Sequence, residues 1–339
     1  MMIGNMKILD NKNTLSIENT VTIRGIAILS IMFYNFIRHL IGIDGNEDYW
    51  SDVNVMTLLS GLKTYMSPLF AVSYWGWYGV PLFIFLSGYG LTKKYDKGDF
   101  NVMKYAYSHI KKIYLLMIPA FALYVVLVDI FSSIKYPVDL IVKQCTFTVN
   151  FLSLNISPGI YWFFGLIIQF YLIFIILRKL NTNWLFLLLL SFIIFDYYVL
   201  YCSNNMVFIR HNSIGWMPSF IFGILYAKKG YNLIITKLAL LAIPLFFVSS
   251  LFKVLHPLSS LICVISVLSV VKYIRFKWLY YVGTISSAIF AMHAVVRLVL
   301  YSSYFESWSL SVKIILFTIL TFISAYIYNR LIKYLNRVH

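Results

Sequence analysis

The chain has 339 residues, of which 61% are hydrophobic, 19% aromatic and only 12% charged, with a mean hydropathy of +0.81. A soluble domain is about half apolar and about a quarter charged, so this composition excludes one and points to an all-α, polytopic transmembrane helix bundle. The formal net charge of +16 would suggest nucleic acid in a soluble chain, but membrane proteins collect Lys and Arg on their cytoplasmic side, and no nucleic-acid partner is needed.

Residues 1–19 are polar and read as a cytoplasmic segment ahead of an uncleaved first span. Apolar runs of spanning length follow at 22–42, 76–92, 107–131, 160–177, 183–201, 214–227, 234–252, 257–271, 279–300 and 311–330, about ten in all. The segment 54–73, with Lys63 and Pro68, reads as an interfacial helix or a short re-entrant piece. If both termini are cytoplasmic, 20 of the 28 Lys and Arg residues fall on the inner side, while Asp44, Glu47, Asp48, Asp52, Asp139 and Glu306 fall on the outer one. No connection is long enough to fold by itself, so residues 1–339 are expected to form one integral-membrane domain. Cys145, Cys202 and Cys263 are scattered through apolar sequence without metal-ligand spacing; they read as small core residues, and no metal site is expected.

Ionisable groups inside a span are costly, which makes each one a functional candidate. The first span, "TVTIRGIAILSIMFYNFIRHL", is the richest. At 100° per residue, eleven steps from Arg24 to Asn35 leave a phase difference of about 20°, with Arg38 and His39 one turn further along. These four share a face, and Arg24 stands about 16 Å from Asn35 along the axis. Each taken alone is an ordinary helix-end anchor; the shared face argues for more. At the mouth of the third span, "YSHIKKIYLL", His109, Lys111 and Lys112 form either a patch for lipid headgroups or a clamp for a phosphorylated donor. Trp162 in "GIYWFFGLIIQFY" suits stacking on a sugar but equally suits lipid contact. His293 and Asp196 lie inside later spans, where a lone polar residue is more often a packing residue than a ligand.

In order, "IRGIAILSIMFYN", "YGVPLFIFLSGYGL", the basic start of the third span, "YWFFGLIIQFYLI", "FIFGILYAK" and "ISSAIFAMHAVV" resemble the membrane-bound acyltransferase family 3, bacterial O-acetyltransferases of surface glycans. The resemblance covers nearly the whole chain. It implies a multi-pass protein of the bacterial cytoplasmic (inner) membrane that moves an acyl group, acetyl above all, from acetyl-CoA to a hydroxyl of a surface polysaccharide, lipopolysaccharide or lipid-linked sugar. Acetyl-CoA is then a co-substrate and no metal takes part. The partners implied are the glycan acceptor and membrane lipids. The family's first-span signature, an Arg followed eleven positions later by a His, falls on Arg24 and Asn35. Its Asp ahead of the Arg falls on Val21, and its paired third-span arginines fall on His109 and Lys112.

The family His is the expected base for the acceptor hydroxyl, and Asn cannot accept a proton near neutral pH. Asn35 is therefore read as an oxyanion donor or orienting group, with His39 as first substitute base and His293 as second. Arg24 completes the catalytic set; His109, Lys111 and Lys112 are expected to hold acyl-CoA, and Arg38 and Trp162 the acceptor. A non-catalytic relative that transports or flips a glycan or lipid-linked sugar is the alternative that Asn35 leaves open.

Overall fold

The computed structural model describes residues 15–41, 51–96, 98–132, 135–152, 159–202, 206–229 and 240–338, and among them every regular element is helical. The expected polar N-terminal segment lies outside the described residues up to residue 14. Its end already belongs to helix α1 (Ile17–Leu40), whose first turn is capped by Ser16: the Ser16 Oγ accepts from the Asn19 amide at 3.0 Å.

The further helices are α2 (Asp52–Gly61), α3 (Ser67–Trp75), α4 (Gly79–Tyr95), α5 (Val102–Phe131), α6 (Val138–Cys145), α7 (Trp162–Leu177), α8 (Thr182–Cys202) and α9 (Met206–His211). They are followed by α10 (Met217–Lys229), α11 (Ala242–Leu251), α12 (His256–Val270), α13 (Lys277–Thr284), α14 (Ser286–Leu300) and α15 (Leu310–Val338).

Seven stretches among the described residues are long and apolar enough to cross a membrane, and the pair α13–α14, bent by 77°, makes an eighth if it counts as one span. Three of the expected features take another form. The 54–73 segment splits into α2 and α3, and α3 continues through a 3-10 turn at Gly76–Tyr78 into α4, giving one span-length rod from Ser67 to Tyr95. The run at 214–227 is shortened because Ser213–Trp216 winds as a 3-10 turn; α10 is only 13 residues long and nearly all of it is buried. Of the 234–252 span, residues 234–239 lie outside the described residues, and the remainder holds the short helix α11. Of the three cysteines only Cys263 is buried; Cys145 is half-buried and Cys202 exposed.

The bundle is built around α1, which packs on α3, α4, α13 and α14. Helices at the edge show how an all-apolar rod is oriented: on α15, Ile315, Ile319, Ile323 and Ile327 repeat every four residues on the outer face, whereas Phe317, Thr321, Ala325 and Tyr328 are buried. A polar clasp ties three segments together within the bundle. Gln169 Nε2 donates to Asn212 Oδ1 at 2.9 Å, Ser213 N donates to Gln169 Oε1 at 2.8 Å, and Asn212 Nδ2 donates to the Asn150 carbonyl at 2.9 Å. Buried amides left unpaired in an apolar bundle cost several kcal/mol each, about 2–7 by transfer measures, so the paired Gln169 and Asn212 amides fix the packing of α7 against the turn after α9.

Helix α1 approaches α13 closely. A Cβ added at Gly25 would stand 2.3 Å from the Leu279 carbonyl oxygen, and one at Gly283 would stand 1.9 Å from the Val21 carbonyl oxygen. Only glycine permits such a crossing. An exposed helical Gly→Ala change normally stabilises by about 0.5–1 kcal/mol. Gly25→Ala and Gly283→Ala are expected to do the opposite and lower the unfolding temperature in detergent, since overpacking costs about 1–3 kcal/mol. Gly90→Ala, whose Cβ meets nothing within 4 Å, should leave that temperature unchanged or raise it.

Candidate active site

Because Gly25 is pressed against α13, its neighbour Arg24 points to another side of α1, into two adjoining cavities. The first, about 260 Å³, lies at the basic end of the bundle, between Lys94 and Gly90 of α4, His109 of α5 and Tyr171 of α7. The second, about 230 Å³, runs between α5, α7 and the α13–α14 bend, past Ile113, Phe163, Phe164, Ser286, Ser287 and Phe290. Arg24, Phe83, Ser87 and Tyr171 border both, so together they form the neck between a polar mouth and a mostly apolar inner chamber. Ser87 Oγ donates to the Phe83 carbonyl at 2.9 Å, a helix-internal bond that keeps this small polar group in the wall.

His109 is part of the mouth's wall. Its Nδ1 lies 2.8 Å from the Tyr105 carbonyl, one helical turn back, and so carries the donated proton. The ring is packed among Tyr95, Tyr105 and Tyr171 at centroid distances of 5.6, 4.4 and 4.7 Å. Lys112 is exposed on α5, and Lys111 lies with its Nζ 6.0 Å over the Tyr107 ring; neither borders the two cavities. Lys94 takes the place at the mouth that their sequence position suggested for them.

Beyond the inner chamber α14 runs beside α1, and here two sequence candidates meet. Asn35 Nδ2 stands 3.5 Å from His293 Nε2, and the same amide donates to the Ile31 carbonyl at 3.0 Å. His293 Nδ1 lies 3.1 Å from the Ile289 carbonyl; as the donor there, it leaves the Nε2 lone pair facing Asn35. Arg297, one turn further on α14, donates to the Asn35 carbonyl at 3.1 Å and locks the two helices in register. His293 is fully buried. Its nearest neighbour toward the chamber is Phe290, with ring centroids 5.6 Å apart, and Phe290 is itself packed on Phe163 at 4.8 Å.

The other candidates lie apart from this line. His39 is exposed at the far end of α1, edge-on to Tyr301 at 5.6 Å. Arg38 donates from Nη1 to the Tyr34 hydroxyl at 3.1 Å. Trp162 stacks on His211 at 4.6 Å, and its carbonyl accepts from Asn150 Nδ2 at 3.0 Å, which makes it part of the polar clasp. Asp196 is buried on α8, within the electrostatic reach of Arg210. Nothing in the sequence marks Lys94, one of many lysines at span ends, or Ser87, one small residue in an apolar run, as cavity residues. Tyr171, Ser286 and Ser287 are equally unmarked, since nothing in an apolar run tells which hydroxyl borders a cavity.

A family model described as an acyltransferase domain matches residues 22–330, which is nearly the whole chain. No curated protein and no solved structure matches.

The Asn35–His293 contact makes a stability prediction that is independent of any activity. Asn35→Leu leaves the buried Nε2 lone pair without a donor and should destabilise the protein by about 1–3 kcal/mol. His293→Leu in the same chain should recover part of that loss. The check is a double-mutant cycle on thermal unfolding in detergent, with an expected coupling of about 0.5 kcal/mol or more.

Proposed function

The chain belongs to acyltransferase family 3 and is a multi-pass membrane acyltransferase, and on that premise we propose that it transfers an acyl group, acetyl above all, from acyl-CoA to a hydroxyl of a surface glycan or lipid-linked sugar. The basic end is then the cytoplasmic one, and the membrane is the bacterial inner membrane. The observation that carries this reading is the line of sites along α1 and α14: a cationic mouth, a neck at Arg24, an apolar chamber, and the Asn35–His293 pair one ring beyond it.

The chemistry of acyl-CoA matches that line. Its phosphates need cations, which Lys94 and Arg24 supply at the mouth, with Lys111 and Lys112 adding field from the same end. Its extended arm carries two amides between apolar groups, and the chamber offers Ser286 and Ser287 on one wall and Ile113, Phe163 and Phe164 on another. The rise from Arg24 to Asn35, about 16 Å, is the distance that separates the phosphates from the thioester in such an arm. Phe290 turns aside to bring the thioester carbonyl to the pair, while the sugar enters from the opposite end past Arg38 and His39.

His293 is the base, ahead of His39. As the acceptor hydroxyl adds to the carbonyl carbon, its proton passes to His293 Nε2. Once the hydroxyl has displaced the Asn35–His293 contact, the freed N–H of Asn35 Nδ2 donates to the tetrahedral oxyanion. When the intermediate collapses, the carbon–sulfur bond breaks and the leaving thiolate of coenzyme A recovers the proton from His293. The Nδ1–Ile289 bond fixes the tautomer, and the 3.5 Å contact to Asn35 is long enough for an incoming hydroxyl to displace. The full burial of His293 also limits the access of bulk water that would compete with the sugar.

In cells lacking the native gene, acyl incorporation into surface glycan should fall at least about 100-fold with His293→Gln, the span of general-base catalysis. Asn35→Ala should cost about tenfold or more, as loss of one oxyanion donor does. His39→Gln should stay within about twofold, and Lys94→Gln should raise the KM for acyl-CoA with kcat preserved. Full incorporation by His293→Gln, or its loss in His39→Gln, contradicts the assignment of the base.

A further inference from the structure

A third cavity, about 430 Å³, takes no part in the acyl-transfer line. It lies at the basic end of the bundle between the first turns of α1 and the start of α13, and is lined by Glu18, Thr22, Arg275, Phe276, Lys277 and Tyr280. None of these residues borders the Arg24 cavities, which lie on the other side of the α1–α13 crossing.

Three charged groups of opposite sign thus face one space, and among the described residues Glu18 forms no ion pair with Arg275 or Lys277. The cavity holds a carboxylate and two cations apart where a ligand with both charges would bridge them. The surroundings say where such a ligand comes from. Tyr273, Phe276 and Trp278 are 69%, 60% and 58% exposed, and Tyr281 is 48% exposed, which places a row of aromatic rings beside Lys272, Arg275 and Lys277. Amphipathic rings among cations occupy the headgroup level of a bilayer.

We propose that this cavity is a binding site for an aminophospholipid headgroup. Arg275 and Lys277 hold the phosphate diester, Arg275 through two parallel N–H donors. Glu18 accepts from the primary ammonium of an ethanolamine. Phe276 and Tyr280 lie along the glycerol and the first methylenes. The carboxylate is what sets the choice. A purely anionic headgroup would face it with like charge, and a trimethylated ammonium has no N–H to give it.

The experiment is native mass spectrometry of the full chain released from nanodiscs containing phosphatidylethanolamine, phosphatidylcholine and phosphatidylglycerol in equal parts. Wild type should retain one phosphatidylethanolamine in preference to phosphatidylcholine by about tenfold, the scale of one charge-assisted hydrogen bond. Glu18→Gln, a change at an exposed position, should abolish that preference while still retaining phospholipid. Arg275→Gln with Lys277→Gln should lose retention of all three lipids. Equal retention of phosphatidylethanolamine and phosphatidylcholine by wild type overturns the proposal, as does an unchanged preference in Glu18→Gln. Stronger retention of phosphatidylglycerol marks a plain basic patch instead. Displacement by soluble glycerophosphoethanolamine at concentrations comparable to the lipid assigns the cavity to a free metabolite and equally overturns it.

Discussion

Helix α1 can cross α13 as closely as it does because Gly25 and Gly283 each meet a carbonyl of the other helix with no side chain between. Several features of the site follow from that contact. With Gly25 turned to α13, Arg24 is carried round to face α4, α5 and α7, where it borders both cavities. With Gly283 held against Val21, the chain beyond Thr284 bends by 77° and sends α14 up beside the second half of α1. That course brings His293 to Asn35 and Arg297 to the Asn35 carbonyl. The apolar residues of α1, Ile28, Met32 and Phe36 among them, are buried to nearly nothing around this axis, and dispersion holds the register that the glycines permit.

On the proposed mechanism, Asn35 in place of the family's first-span His is less a loss than a redistribution. A base and an oxyanion donor are both needed near the thioester. In the pattern that the resemblance implies an imidazole stands on α1; in the proposed mechanism the imidazole is His293, across the helix interface on α14, and Asn35 on α1 donates. An amide cannot take a proton, but it can hold a neutral imidazole with its lone pair in place and donate to an oxygen that turns negative. The arrangement costs little to keep, because the Asn35 amide has a second partner in Ile31 and the His293 Nδ1 has one in Ile289, so neither side chain depends wholly on the other.

Much of this was legible in the residues. Composition alone indicates a helical membrane bundle, and the apolar runs at 22–42, 107–131, 160–177, 183–201, 257–271 and 311–330 correspond to span-length helices. Two of the runs take another form for physical reasons. Residues 214–227 are apolar because α10 is buried within protein, and periodicity does not separate burial in protein from burial in lipid. The 77° bend after Thr284 has no proline to announce it; it comes from the tertiary fit at Gly283. Arg24 and Asn35 were visible because 100° steps put them on one face. The pairing of Asn35 with His293, 258 positions away, was not, since one chain carries no record of which faces meet. Lys94 was hidden by abundance: a lysine at the end of a span looks like every other lysine there.

In the proposed mechanism one bound acyl-CoA runs from the Arg24 mouth to the Asn35–His293 pair. A cryo-EM structure of the full chain with a non-hydrolysable thioether analogue of acetyl-CoA tests it most directly. The phosphates should lie against Lys94 and Arg24, the arm should pass Ser286 and Ser287, and the sulfur should stand within contact distance of His293 with the Phe290 ring turned away. A sulfur left beside Arg24, or an analogue seated outside the two cavities with Phe290 unmoved, would rule this path out.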